Sequence, residues 1–160
     1  MILITYVDNT LLFGPDLNQI DKVISKLEGL GYGLTLEEVD ESTAFAFLGV
    51  SITPYPVTKM LRLTQTGIIE KILKSTGISD YNTRVYPAIS SPLVTDTAGA
   101  DRKDSGNYAS VIGIMMYLAS NAHPEIQFAV HQCAQFTNFP QASHEKAVKH
   151  ICRYLQVVKG

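Results

Sequence analysis

The sequence lacks several features that would place it in a common functional class. Its longest apolar run, Val111 to Ala119, is far shorter than the roughly 18 residues a membrane span needs. Its start, Met1 to Thr5, has no basic segment before the apolar run, so we expect neither secretion nor a membrane role. Its net charge of −2 lacks the basic balance typical of proteins that mainly bind nucleic acid. Any such partner must be held by a local surface.

Metal-binding and nucleotide-binding motifs are also lacking. Cys133 and Cys152 fall in helical apolar patterns, which favours buried free thiols over a pair of metal ligands. The four histidines include no pair four residues apart around a carboxylate, so zinc is not expected. Gly29, Gly31 and Gly33 follow a helical pattern instead of a strand, which argues against a dinucleotide-binding loop. No Ser, His and Asp arrangement supports nucleophilic catalysis.

The charge that is present is unevenly distributed. Residues 1 to 50 hold eight acidic and two basic residues, a net charge of −6. Residues 51 to 160 hold seven acidic and eleven basic residues, a net charge of +4. One explanation of this asymmetry is that the charged residues simply lie on solvated surfaces. The other is that the acidic first part is associated with a metal and the basic second part faces phosphates. Charge alone leaves both interpretations open.

The hydrophobic pattern predicts an α+β fold in which a mixed half precedes a helical half. Ile2 to Val7 is apolar and β-branched, a polar pair interrupts it, and Leu11 to Phe13 resumes it, which predicts a hairpin with a polar tip. A helical period follows from Asp16, the predicted N-cap, with Gln19 as capping-box partner, and continues to Leu30. Further strands, separated first by an acidic turn, are predicted at Gly33 to Val39, Ala44 to Thr53 and Met60 to Leu63.

Beyond these strands the helical period dominates. Helices are predicted at Thr66 to Ser75, around Asn107 to Ser120, from Pro124 and from about Ser143, with a loop from Tyr81 to Lys103 rich in Pro, Ser, Thr and Asp. The predicted buried residues of the last three helices are Tyr108, Val111, Ile112, Met115, Ala119, Ile126, Ala129, Val130, Cys133, Ala147, Ile151, Tyr154, Leu155 and Val158. The polar surface of the last helix is left to Lys146, Lys149, His150 and Arg153.

An ordered series of motifs carries the functional information. Tyr6-Val7-Asp8-Asn9, at the predicted hairpin tip, resembles the reverse-transcriptase signature Tyr-Val-Asp-Asp. The segments that agree with the same family downstream are Phe47-Leu48-Gly49, Leu63-Thr64-Gln65, Ile72-Leu73-Lys74, Ile112-Gly113, Met116-Tyr117-Leu118-Ala119, His144 and Arg153-Tyr154-Leu155. The series runs through nearly the whole chain and resembles the Pol polyprotein of copia-type LTR retrotransposons.

The resemblance implies a fold and an activity. Residues 1–65 would be the C-terminal part of a reverse-transcriptase palm with its primer-grip hairpin, and residues 66–160 a helical thumb and connection region. The family is an RNA-directed DNA polymerase whose carboxylates hold magnesium ions for phosphoryl transfer. Its partners would be an RNA/DNA primer-template duplex, nucleotides and the remainder of Pol, inside a cytoplasmic virus-like particle.

The chain departs from the family pattern at its catalytic signature. Asp8 matches the first aspartate and is the metal-site candidate, whereas Asn9 replaces the second and removes one negative charge. We expect the earlier palm strand, with its aspartate, and the fingers to lie outside this chain. The chain is therefore expected to be inactive alone. A plain turn pair is the alternative interpretation of Asp8-Asn9.

Further nucleic-acid contacts are implied at the hairpin, the primer grip and the helix that follows. Tyr6 and the Phe47-Leu48-Gly49 segment would hold the primer, with Gly49 allowing close backbone approach. Lys71 and Lys74 share a helix face and would meet backbone phosphates. The alternatives are that Phe47 and Leu48 simply pack in a core and that the lysines are solvated.

Three interpretations of the chain remain open at the level of sequence. It is an inactive polymerase fragment, or a non-enzymatic module that binds nucleic acid or a complete polymerase, for which an exposed edge at the first strand would be suited. A fragment without a stable fold is the third possibility, which a cooperative thermal transition would exclude.

Overall fold

The computed structural model of the chain describes residues 1–31, 33–39, 43–78, 82–102 and 106–159. The chain divides into two compact units, Met1–Arg62 and Leu63–Gly160. Within the described residues, five α-helices and two small antiparallel sheets confirm a mixed helix and strand content. The assignment of 1–65 to a palm and of 66–160 to a thumb and connection stays a prediction. None of the described helices has the length and apolarity that crossing a lipid bilayer requires.

A β-hairpin opens the first unit. Its strands, β1 (Ile2–Tyr6) and β2 (Asn9–Phe13), pair antiparallel in a register that places Tyr6 opposite Asn9. The hairpin is confirmed, but its two-residue tip is Val7-Asp8, because Asn9 already belongs to the ladder. All five residues of β1 are exposed, so backbone pairing, not burial, defines this strand.

An amphipathic helix, α1 (Leu17–Gly29), follows the hairpin. Asp16 caps it as predicted, although its side chain accepts from the backbone N–H of Asn18 at 3.0 Å and not from that of Gln19, as a capping box requires. Leu30 is 65% exposed because the helix has ended before it. The half-buried apolar positions of α1 are Ile20, Val23, Ile24 and Leu27.

A three-stranded sheet completes the strand content of the described residues. Its strands, in hydrogen-bonding order, are β3 (Phe45–Phe47), β4 (Val50–Tyr55) and β5 (Met60–Thr64). The single strand predicted from Ala44 to Thr53 is wrong, because Leu48-Gly49 turns the chain back between β3 and β4. The strand predicted at Met60 to Leu63 is confirmed as β5.

The strand predicted at Gly33 to Val39 is also wrong. These residues are all described, none of them joins a ladder, and every one is exposed. An alternating apolar pattern makes a strand only where a neighbour accepts its backbone hydrogen bonds and one face is covered. The acidic turn predicted after this segment lies outside the described residues.

Four α-helices build the second unit. They are α2 (Thr66–Ser75), α3 (Tyr108–Asn121), α4 (Gln127–Ala134) and α5 (Ala142–Val158). All four predicted helices are confirmed, with one change: Pro124 opens a single 3₁₀ turn, and α4 begins only at Gln127. A tight first turn of this kind is common at helix N-termini.

The helices enclose one hydrophobic core. Its members from α2 are Ile69, Ile72 and Leu73, and those from the later helices include Tyr108, Ile112, Met115, Leu118, Ile126, Val130, Cys133, Ile151, Cys152 and Leu155. The periodicity predicted most of these residues, since one face of each amphipathic helix must be covered. Val111, Tyr154 and Val158, which the periodicity predicts to be buried in the same core, are only partly buried at its edge.

Residues 82–102, which we call the strap, lie along α5 and contain no helix or strand, as the predicted loop requires. Three side-chain hydrogen bonds join the strap to α5: His144 Nε2 to Val94 O (3.0 Å), His150 Nε2 to Tyr86 O (3.0 Å) and Ser143 Oγ to Asp96 Oδ2 (2.8 Å). His144 is buried, its ring stacks on Phe136, and its Nδ1 accepts from the Gln141 N–H, so Nε2 donates to the strap. The strap is therefore fixed on the helix.

Candidate functional site

The tip of the first hairpin has a strained backbone. Val7 adopts a φ of 53°, in the left-handed region. A β-branched residue rarely occupies this region, because its side chain collides with the backbone there. Tight hairpin turns normally place glycine or asparagine at such a position. Strain of this kind is typical of segments where the position of a neighbouring side chain matters more than local stability.

Asp8 and Asn9 stand together at this tip. The Asn9 Nδ2 donates to Asp8 Oδ1 at 3.3 Å, and both residues are exposed. Asp8 lies in the turn, whereas Asn9 begins β2 opposite Tyr6. The tip thus presents one carboxylate and one amide to solvent, with the Tyr6 ring, 61% exposed, on the adjoining strand.

These residues do not make up a magnesium centre on their own. Within the part of the chain that the structure describes, no three His, Cys, Asp or Glu side chains lie close enough to share a metal ion. Asp8 supplies one charged oxygen, and the Asn9 amide group is directed towards that same carboxylate. Magnesium prefers several hard oxygen ligands in octahedral geometry. The donor set of the described residues does not fit such an ion.

The segment expected to be a primer grip forms the tip of the second hairpin. Leu48 and Gly49 have φ values of 51° and 77°, so the two-residue turn places both in the left-handed region. Gly49 adopts it without strain. Phe47 pairs with Val50 across the turn, and the side chains of Phe47 and Leu48 are half-buried. Their exposure is compatible both with packing and with contact to a ligand.

Lys71 and Lys74 lie on the exposed face of α2. Both side chains are exposed, while Ile69, Ile72 and Leu73 on the opposite face are buried in the core. Residues three apart on a helix are neighbours, so the two ammonium groups are directed to the same region of solvent. The two lysines belong to the second unit, whereas the two hairpins belong to the first. The lysines and the hairpins are therefore described as separate candidate sites.

The two cysteines are buried, as predicted, and both are free thiols. Burial raises the pKa of Cys133 to about 12 and that of Cys152 to about 11. Burial also raises the pKa of Tyr108, whose hydroxyl donates to the Cys133 carbonyl at 2.9 Å. A nucleophilic cysteine needs a lowered pKa and access to solvent, so these thiols are core groups.

The sequence interpretation missed one concentration of charge. The sequence pattern predicts a loop at the strap and a polar surface of the last helix at Lys146, His150 and Arg153, but no element that packs against that surface. The structure brings all three to one groove with Arg84 of the strap. The only sequence signal was the spacing of the helix residues on one face, since the position of Arg84 depends on contacts distant in sequence.

Comparison with known proteins relates the chain to mobile elements. It is 28% identical over 153 residues to the retrovirus-related Pol polyprotein from transposon RE1 of Arabidopsis thaliana, a match that covers 96% of this chain. It is 29% identical over 171 aligned positions, and over its whole length, to that from transposon TNT 1-94 of Nicotiana tabacum. Both of these relatives are transposon Pol polyproteins.

The chain corresponds to a small part of those Pol polyproteins. It covers 10% of the RE1 polyprotein and 12% of the TNT 1-94 polyprotein. It is also 25% identical, over 97% of its length, to a putative transposon Ty5-1 protein of Saccharomyces cerevisiae, of which it covers 48%. No protein-family profile matches the chain. No solved structure matches it either.

Proposed function

We propose that the chain is a segment of a retroelement RNA-directed DNA polymerase that carries the catalytic hairpin and the primer grip and is inactive alone. The supporting observation is the strained Tyr6–Asn9 hairpin tip, in a chain that aligns over 96% of its length with transposon Pol polyproteins. In this proposal, residues 1–65 contribute to a palm and residues 66–160 to a thumb and connection.

The chemistry proposed for the hairpin is metal-assisted phosphoryl transfer. Such a reaction requires carboxylates to hold the ions that activate the attacking hydroxyl and stabilise the leaving group. Asp8 is the proposed metal ligand of this chain. Because Asn9 adds no charge and no three His, Cys, Asp or Glu side chains of the described residues lie close enough to share an ion, magnesium would bind only when carboxylates from the rest of a Pol polyprotein complete the set.

The remaining candidate residues are proposed to hold the primer-template duplex. Tyr6 and the turn at Leu48-Gly49 would lie against the primer end, where a two-residue turn with a glycine lets backbone approach backbone. Lys71 and Lys74 would neutralise phosphates from the outer face of α2. Nucleotides would bind at the hairpin only when the rest of a Pol polyprotein supplies the further carboxylates.

A chimaera tests this proposal. Residues 1–160 replace the aligned segment of the TNT 1-94 polyprotein, and primer extension is measured with magnesium. We expect weak extension, abolished by Asp8→Ala, and an increase of about two to three orders of magnitude in Asn9→Asp, which restores the second carboxylate. The matched control is Asn18→Asp on α1, which adds the same charge elsewhere and should change nothing. Equal rates for Asn9→Asp and Asn18→Asp would contradict the proposal.

The alternative function is a non-enzymatic module that pairs with a complete polymerase or with nucleic acid. The exposure of all five β1 residues favours it, because an uncovered apolar strand is suited to pairing with another chain. A salt-dependent affinity of the isolated chain for primer-template duplex would support this function. Absence of binding at low salt, in a chain that unfolds cooperatively, would argue against it.

A further inference from the structure

A basic groove lies between the strap and α5. Its volume is about 420 Å³, within the range of small-ligand sites, and residues of both elements line it. Arg84 comes from the strap, and Lys146, His150 and Arg153 come from successive turns of α5. The lining also includes Ser90 and Ser91, whose hydroxyl groups can donate hydrogen bonds, and Ser143, whose hydroxyl already donates to Asp96.

The walls of this groove are fixed in place. The His150 Nε2 contacts the Tyr86 carbonyl at 3.0 Å, and the Arg84 backbone N–H donates to the Arg153 carbonyl at 3.4 Å. A site whose side chains are held before the ligand arrives loses less conformational entropy on binding. The fold therefore fixes the backbone positions from which the positive side chains of the groove project.

The charge in the groove is predominantly positive. Arg84, Lys146 and Arg153 carry positive charge, and Asp96, the one acid among the described residues of the lining, accepts a hydrogen bond from the Ser143 hydroxyl. In the ion pairs of the described residues, Arg102, Lys149 and Lys159 each have an acidic partner, whereas neither Arg84 nor Lys146 takes part in one. A positive site has thus formed in a chain whose net charge is −2.

We propose that this groove binds the phosphate group of a nucleotide, either free or within a polynucleotide strand. Phosphate matches the groove because guanidinium groups bind its oxygens in paired hydrogen bonds, and lysine adds a point charge. The hydroxyl groups of Ser90 and Ser91 can donate to the remaining phosphate oxygens. An apolar cavity of about 190 Å³ shares Ile89–Leu93 and Ala147 with the groove, which leaves room for a base or sugar beside the phosphate.

Titration of the full chain, followed by NMR, tests the proposal. Inorganic phosphate and then adenosine monophosphate are added, and we expect saturable shifts in the amides of Ser90, Ser91 and His150. Lys146→Glu should weaken the binding about tenfold or more, because Lys146 is exposed and its charge is reversed without disturbing the core. Arg84→Ala is the second variant and should act in the same direction.

The matched control is Lys26→Glu, which makes the same charge change on α1 in the other unit. It should leave the phosphate affinity within about twofold. Shifts that do not saturate, or equal effects of Lys146→Glu and Lys26→Glu, would overturn the proposal. Both outcomes are independent of primer extension, so failure of the polymerase proposal and failure of this one are distinguishable.

A short oligothymidylate separates the two sources of phosphate. If the groove serves a polynucleotide, the oligonucleotide binds more tightly than adenosine monophosphate, and its affinity falls steeply with salt. If it serves a free nucleotide, adenosine monophosphate binds as tightly as the oligonucleotide. Either result supports a phosphate site when Lys146→Glu weakens the binding about tenfold or more. An oligonucleotide affinity that is insensitive to Lys146→Glu contradicts the proposal.

Discussion

The two units of the molecule contain similar proportions of apolar residues but bury them to very different extents. In Leu63–Gly160 the helices cover their own apolar faces, and Met115, Leu118 and Ile151 are no more than 1% exposed. In Met1–Arg62, Val50 at 9% is the most deeply buried apolar residue of the described part, while every residue of β1 is exposed. A helix satisfies its backbone internally and needs only one covered face, whereas a two-stranded ribbon needs more strands or a helix to become stable.

This difference predicts which unit determines stability. The helical unit has a closed core and should unfold cooperatively, while the hairpin of the first unit should open locally at much lower free energy. The apolar strand residues of the first unit have the composition of a covered sheet. The chain covers 10% of the RE1 polyprotein, so the surface that would cover them is proposed to come from elsewhere in a Pol polyprotein.

The largest predicted effect comes from removing a core side chain of the helical unit. Leu118→Ala leaves a cavity in a fully buried site and should lower the free energy of unfolding by about 2–5 kcal/mol in urea denaturation. The matched control is Leu17→Ala, at a position that is 72% exposed on α1, which should stay within about 0.5 kcal/mol. Similar losses in both variants would show that the two units are not as different as their burial indicates.

A pH dependence of the same core is the next largest effect. An ordinary thiol ionises near pH 8.5, whereas Cys133 and Cys152 have pKa values of about 12 and 11 in the folded chain. The unfolded chain therefore loses these protons first. The free energy of unfolding should be unaffected by the thiols below about pH 8.5 and fall above it, by at most about 1.4 kcal/mol per pH unit for each thiol.

Denaturation between pH 8 and 10.5 measures this effect. A variant with Cys133→Ala and Cys152→Ala should be less stable at neutral pH but show a flatter decline above it. A residual slope is expected, because burial also raises the pKa of Tyr108. An unchanged slope in the double variant would mean that the thiols ionise alike in the folded and unfolded chain.

A smaller and local effect is predicted at the first hairpin. Val7→Gly removes the strain of a β-branched residue at a φ of 53°, and the gain exceeds the entropy that glycine adds to the unfolded chain. We expect the β1–β2 amides to gain about 1 kcal/mol of protection in hydrogen exchange, with little change in the helical unit. Val57→Gly, at a 96% exposed residue without a positive φ, should give no such gain.

The smallest effect on stability should come from the lysines of α2. Lys71→Ala and Lys74→Ala remove exposed side chains and should change the free energy of unfolding by less than about 0.5 kcal/mol. If the lysines meet duplex phosphates, each variant lowers the slope of log affinity against log salt by about one. Lys22→Ala on α1 is the control. Identical slopes for all three variants would contradict a phosphate contact on α2.

The helices could be predicted from the sequence because their information is local. The period that places Ile69, Ile72 and Leu73 on one face, and the cap at Asp16, both act within a few residues. The strand errors have the opposite cause. Gly33 to Val39 has a strand pattern but no covered face, and the turn at Leu48-Gly49 depends on a left-handed backbone that a pattern of apolar residues does not reveal.

The candidate site could be predicted only in part for the same reason. The hairpin tip consists of a few consecutive residues, so the motif in the sequence also predicts the position of the turn. The prediction is one residue off, because Val7 occupies the turn and Asn9 belongs to the strand. The groove at the strap combines Arg84 with Lys146, more than sixty positions apart. The proximity of these two residues cannot be predicted from the periodicity of either segment, because it arises from packing between segments.

The attachment of the strap also has a consequence for the order of folding. The hydrogen bond between His144 and Val94 joins residues 50 positions apart, and the one between His150 and Tyr86 joins residues 64 positions apart. Contacts of this separation carry a larger loop-closure entropy than those between consecutive helices, so they form late. We infer that α3, α4 and α5 assemble first and that the strap docks last. In refolding experiments, protection of the His144 and His150 ring nitrogens should therefore follow helix formation.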